Sequence, residues 1–150
     1  MKKITKFAMA LIVAIAAFAC SKEENRGAEY LDVTYNNIAG VWSLQSFDNG
    51  VELGEGTYRY LVLDRKERRF VSYDNLGSMA QVTRTGRFDI YTDGAAIIRG
   101  AYDFGQGDWE HRYYVRNLTR ERMEWVATDN ENVVMVYTRA ELPEWIESEE

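Results

Sequence analysis

His111 is the only histidine in the chain of 150 residues, so any imidazole-based proton relay would have to use it. A nucleophilic serine of the hydrolase kind sits on a G-x-S-x-G elbow, and the sequence has none. No His or Cys residues fall at metal-ligand spacing. Gly54-Glu55-Gly56 and Gly105-Gln106-Gly107 are rich in glycine. They lack the strand–turn–helix context in which a phosphate loop works, and they read as turns. Carboxylates are plentiful, 24 Asp and Glu against 18 Lys and Arg, so no pair of them stands out. Glu147, Glu149 and Glu150 read as a solvated tail. We therefore expect no catalytic site, no metal and no other cofactor, and we do not read the chain as an enzyme.

Cys20 is the one residue with distinctive covalent chemistry. It is the sole cysteine, which rules out an intrachain disulfide. It directly follows a segment with the marks of an export signal. Lys2, Lys3 and Lys6 make a basic start, and residues 7–19 are an uncharged apolar run. Such a run is too short for a membrane span, which takes about 20 apolar residues, but it suits the h-region of a signal peptide. An exported protein seldom keeps a free thiol. A thioether to diacylglycerol at Cys20 would account for it. The stretch from Leu11 through Ala17-Phe18-Ala19-Cys20 resembles a lipobox, with Ala17 and Phe18 departing from the usual pattern. The alternative is an ordinary A-x-A cleavage site at Ala17-Phe18-Ala19, leaving Cys20 free.

Cleavage after residue 19 removes three lysines, taking the formal charge from −6 to near −9. An acidic surface argues against nucleic acid, which is held by clustered Lys and Arg. The remaining length suits one domain with a real core.

The elements that would position any site are strands. Short runs rich in Tyr, Val, Ile, Phe and Trp alternate with turn residues. The pattern predicts eight strands: 40–47, 57–64, 68–73, 81–92, 95–104, 109–118, 122–128 and 133–139. Asp48-Asn49-Gly50 and Asp93-Gly94 are hairpin signals, because Asn-Gly and Asp-Gly accept positive φ. Short connections make successive strands antiparallel neighbours. Either a sandwich or a barrel would satisfy that. The meander order favours an all-β, eight-stranded antiparallel up-and-down barrel, whose closure leaves no sheet edge exposed.

Alternation also assigns faces. Trp109, His111, Tyr113 and Val115 share one face of the sixth strand, and Met123, Trp125 and Ala127 one face of the seventh. Gly86, Phe88 and Ile90 share a face of the fourth with Val82. The second strand is ambiguous: Tyr58, Tyr60 and Val62 compete with Leu61 and Leu63. The organisation read from the sequence is a lipoprotein signal peptide over 1–19, a lipidated tether over 20–29, a barrel over 30–140 and a tail over 141–150. Leu142, Trp145 and Ile146 fall at helical spacing in that tail and would cover the outward Val134 and Val136.

Two resemblances extend this. Ser21-Lys22-Glu23-Glu24 after the cysteine resembles the surface-export signal of Bacteroidota lipoproteins, which implies display on the outer face of the outer membrane; a plain charged tether, facing the periplasm, is the alternative. Gly40-Val41-Trp42 at the head of the first strand and Arg139 at the end of the last resemble the lipocalin-like domain of small lipoproteins of that kind, within the calycin group. The run from Arg112 to Thr119 and on through Arg122-Met123-Glu124-Trp125 is similar to its sixth and seventh strands. The resemblance implies that Gly40, Trp42 and Arg139 form the closed end, the guanidinium lying on the indole by cation–π attraction. Inward faces at Trp42, Phe88, Ile98, Tyr113 and Trp125 would then line an interior. The loops at Asn49, Asn75, Gly105 and Asn130 would rim its open end. Phe88, Ile98, Tyr113 and Trp125 are the ligand-lining candidates. Two functions fit: a small hydrophobic or glycan-like ligand held in the barrel, or a filled barrel contacting a protein or polysaccharide partner. The Cys20 lipid would supply the membrane attachment in both.

Overall fold

The alternating runs form strands because their β-branched and aromatic side chains pack on a pleated surface, and the Gly, Asn and Asp clusters end them. A computed structural model describes residues 29–146. The expected signal peptide, Cys20 and the tether up to residue 28 lie outside the described residues, as do residues 147–150. The elements are α1 (Tyr35–Ile38), β1 (Gly40–Phe47), β2 (Val51–Glu52), β3 (Arg59–Asp64), β4 (Arg69–Asp74), β5 (Val82–Asp93), β6 (Ala95–Tyr102), β7 (Tyr113–Arg116), β8 (Arg122–Ala127) and β9 (Val134–Arg139).

The strand order is β2-β1-β3-β4-β5-β6-β7-β8-β9, and β1 also pairs with β9. Leaving β2 aside, eight antiparallel strands close into an up-and-down barrel, the architecture expected from the meander. A sandwich would leave β1 and β9 unpaired. The seam instead aligns Trp42 with Arg139, Ser43 with Thr138 and Leu44 with Tyr137 before a bulge near Ser46. The small β2 was not foreseen. Asp48, Asn49 and Gly50 turn with φ of 43°, 62° and 98°, and β2 folds back on the end of β1.

The ambiguous second strand resolves as β3 with Leu61 and Leu63 inward, both nearly inaccessible. Tyr58 and Tyr60 face outward, where Trp145 meets both rings edge-on at 4.9 and 6.4 Å. Trp145 thus covers β3, whereas cover for Val134 and Val136 was expected. The Ala140 N–H donates to the Val41 carbonyl at 3.0 Å, carrying the chain past β9 along β1 toward that side. Residues 141–146 are irregular and finish in a turn, the Ile146 N–H donating to the Pro143 carbonyl.

The sixth strand, expected over 109–118, is regular only over the four residues of β7. It pairs with β6 at just two registers, Ile97–Tyr114 and Ile98–Tyr113. The chain before it folds onto β6 itself: the Trp109 N–H donates to the Gly100 carbonyl at 2.8 Å, and Ala101 bridges to Asp108. Gly100 makes this possible, because a Cβ there would lie 2.2 Å from the Trp109 indole.

Packing closes one end of the barrel. Thr34 caps α1 by accepting from the Asn37 N–H at 3.1 Å, and α1 presses Ile38, wholly buried, onto the core. The Tyr35 hydroxyl donates to Asp89 at 2.7 Å and accepts from the Ile90 N–H at 3.0 Å, which ties α1 to β5. The Trp42 indole donates to the Ile38 carbonyl at 2.8 Å. The Arg139 guanidinium lies 3.9 Å from the Trp42 ring centroid and donates to the carbonyls of Ala39, Asn37 and Arg120. Gly40 fits here for two reasons. Its φ is +119°, and a Cβ would stand 2.7 Å from an Arg139 nitrogen.

Candidate functional site

Alternation along seven strands brings one set of side chains together at the other end of the barrel. Inward positions on β3, β4, β5, β6, β7, β8 and β9, with Trp109 and Glu110 from the loop before β7, wall a cup of about 170 Å³. Six aromatic rings line it: Phe70, Tyr102, Trp109, Tyr113, Trp125 and Tyr137. They form one connected cluster. Trp125 lies 5.0 Å from Tyr137, 5.4 Å from Tyr113 and 5.6 Å from Trp109, and Phe70 lies 5.0 Å from Trp109 and 5.8 Å from Tyr102. Offset and edge-on rings at these distances hold each other in place. Leu61 and Met135 add apolar surface. The Trp125 indole donates to the Met123 sulfur at 3.3 Å, which fixes its ring.

The cup also carries charge. Asp74 is only 3% exposed. Its Oδ2 accepts from the Arg84 guanidinium at 3.1 Å and lies 3.6 Å from Arg59 Nε. Arg59 further donates to the Met135 sulfur at 3.7 Å, a weak acceptor. Burial by itself lowers the Arg59 pKa, but the neighbouring Tyr137 and Asp74, with Tyr113, carry it above its ordinary value. Burial pushes the Tyr113 and Tyr137 phenols well up, so both stay protonated and able to donate. The described loops around the mouth are those near Asn49, Asn75, Gly105 and Asn130. His111 joins two of them, its Nδ1 lying 2.8 Å from Asp129 and its Nε2 3.9 Å from Glu110.

Of the residues singled out in the sequence, Tyr113 and Trp125 line the cup. Phe88 lies nearer the closed end, 5.7 Å from the Tyr35 ring, and Ile98 is wholly buried in the core. Gly40, Trp42 and Arg139 stand together at the closed end. Cys20 falls outside the described residues. The sequence reading missed Arg59, Asp74 and Arg84, because charged residues in a strand ordinarily face solvent. Parity held the signal. Arg59 alternates in step with Leu61 and Leu63, Asp74 with Phe70, and Arg84 with Gly86 and Phe88.

A larger concavity of about 690 Å³ lies where Glu67 and Arg68, at the β3–β4 turn, face Arg87, Arg99 and the 108–112 loop. Part of its charge is already matched. Arg99 pairs with Asp89 at 3.1 Å, His111 with Asp129, and Arg112 donates to the Tyr91 hydroxyl at 3.1 Å. The cup is smaller, and its walls are the barrel's own inward-facing side chains. Among the described residues, no three His, Cys, Asp or Glu side chains come together to hold a metal. Compared with protein-family models, curated proteins and solved structures, the chain has no match.

Proposed function

We propose that this is an exported barrel protein, anchored by a lipid on Cys20, that binds a small ligand in the cup without chemically altering it. The observation that carries the reading is the cup itself, six aromatic rings around about 170 Å³. An apolar cavity of about 150 Å³ is enough to hold a benzene ring. The occupant is therefore about one ring in size, smaller than most drug-like ligands. The signal peptide and lone cysteine support export and lipidation, Lys22-Glu23-Glu24 supports surface display, and the Gly40–Trp42–Arg139 arrangement supports kinship with lipocalin-like lipoproteins.

The test is native mass spectrometry of the protein taken from its own host, beside a Ser72→Phe variant. Ser72 lines the cup, and a phenyl ring there fills it. A small adduct on the wild type that disappears in the variant is the expected result. No adduct on the wild type, or an equal adduct on both, refutes binding in the cup. The second reading, a surface that meets a protein or polysaccharide, is favoured by the Tyr91 ring between the Arg99 and Arg112 guanidinia, 4.7 and 5.9 Å away beside the larger groove. It gains if the adduct is absent and Tyr91→Ala removes binding to host cell-surface material.

A further inference from the structure

Hydrogen-bond donors outnumber acceptors in the cup. Arg59 and Arg84 bring two cationic guanidinia with five N–H donors each. Among the described residues, the only carboxylate touching them is Asp74, through one oxygen. Glu110 also lines the cup, but it is 88% exposed, and its only ion-pair partner among the described residues is His111. No backbone carbonyl among the described residues accepts from either guanidinium, and Arg59 spends one of its donors on a thioether. The Tyr113 and Tyr102 hydroxyls form no side-chain hydrogen bond with another described residue, and both residues line the cup. No buried polar side-chain atom among the described residues lacks a partner, so the donors left over are ones that solvent or a ligand can reach. Arg59, Asp74 and Arg84 together carry one net positive charge beside the aromatic rings, and the far more exposed Glu110 is the other charged side chain that lines the cup.

We infer that the cup takes a single-ring carboxylate, the ring among Trp125, Tyr113 and Trp109 and the carboxylate on Arg84 and Arg59. The inference rests on the cup being the binding site. A carboxylate offers two acceptor oxygens in the geometry a guanidinium fork matches. It would supply the acceptors that the aromatic wall lacks and cancel the net charge. A cationic ligand meets repulsion from the two arginines, and a neutral amide offers them one uncharged acceptor oxygen in place of two charged ones. The cup's size limits the ligand to about one ring.

The experiment uses three probes of one shape and different charge, titrated calorimetrically into the full chain: phenylacetate, phenylacetamide and phenethylamine. Phenylacetate should bind at least tenfold more tightly than phenylacetamide, and phenethylamine most weakly. Arg84 is 41% exposed at the rim, so Arg84→Gln should fold normally by near-UV circular dichroism. That variant should bring phenylacetate within threefold of phenylacetamide. Arg59→Gln should do the same, and Arg59→Lys should keep part of the preference. If phenylacetate and phenylacetamide bind equally to the wild type, or no probe binds while a host adduct still depends on Ser72, the carboxylate assignment is wrong and the cup remains a binding site. If phenylacetate is preferred but Arg84→Gln and Arg59→Gln leave the preference intact, the assignment to these arginines is wrong. If no probe binds while Ser72→Phe and wild type also show the same host adducts, both readings fall.

Discussion

Trp42 and Arg139 allow a quantitative test of how the closed end holds together. Trp42 is fully buried and Arg139 half-buried, with the guanidinium 3.9 Å from the ring centroid. Trp42→Ala should cost about 3–5 kcal/mol, the range for deleting a large buried ring. The cation–π contact alone would make Arg139→Ala worth about 0.5–2 kcal/mol. Arg139 also donates to three backbone carbonyls, those of Ala39, Asn37 and Arg120. Charge-assisted bonds exceed neutral ones in strength, but water can replace part of them at a half-buried site. The total for Arg139→Ala then comes to about 2–4 kcal/mol. The contact that both residues share should appear as a coupling of about 1–2 kcal/mol in a double-mutant cycle. Urea unfolding followed by circular dichroism measures all four corners. The milder pair Trp42→Phe and Arg139→Met keeps a ring and a stem, and applies if the alanine variants do not fold. Losses that add, within about 0.5 kcal/mol, would show that the guanidinium and the indole do not act together. An Arg139→Ala cost under about 0.5 kcal/mol would show that the carbonyl bonds carry nothing.

Cys20→Ala should move the protein from the detergent-rich to the aqueous phase of a detergent split, or leave it unprocessed; wild-type protein without acyl groups by mass spectrometry would overturn lipidation. Replacing Lys22, Glu23 and Glu24 with alanine should keep the lipid but remove access to external protease on whole cells. Gly100→Ala should displace Trp109, cost about 1–3 kcal/mol by overpacking and weaken probe binding; an unchanged affinity would detach Trp109 from the cup. The Tyr35 hydroxyl, then Arg99, hold the Asp89 carboxyl below the usual range. Its stabilising effect is therefore full above about pH 4, the unfolded value, and fades as pH falls through the lower folded value. Asp89→Asn should lose less stability than wild type on acidification from pH 5, as read by thermal melts, and a parallel loss would contradict the link.

The strands and their antiparallel succession were legible because alternation and turn residues act locally. Leu61 and Leu63 on β3 were harder to place, since aromatic residues on the opposite face are equally apolar; Trp145, distant in sequence, is what covers those tyrosines. The shortening of β7 follows from an indole seated on Gly100, a contact between residues whose pairing no period reveals. The aromatic half of the cup was readable at Tyr113 and Trp125. Its charged half was not, because Arg59, Asp74 and Arg84 compensate one another only after three strands are brought side by side. The closed end was suggested by Gly40, Trp42 and Arg139, but two of the three carbonyls that Arg139 holds, those of Asn37 and Ala39, depend on where α1 comes to rest, and the third, that of Arg120, on the β7–β8 loop.

The seam between β1 and β9 also has a bearing on how fast the barrel opens. Each other pair of neighbouring strands is joined by a short connection, whereas Arg139 and the Ala39 carbonyl it holds are 100 residues apart. Bringing ends together over that distance costs about 2 kcal/mol more entropy than over ten residues. That cost favours a seam that forms late in folding, and contacts formed after the transition state govern the unfolding rate. Arg139 acts as the latch of a ring-shaped sheet. Loosening it should shorten the native lifetime and scarcely alter the speed of refolding, although the backbone ladder from Trp42 to Ser46 shares the load of the seam.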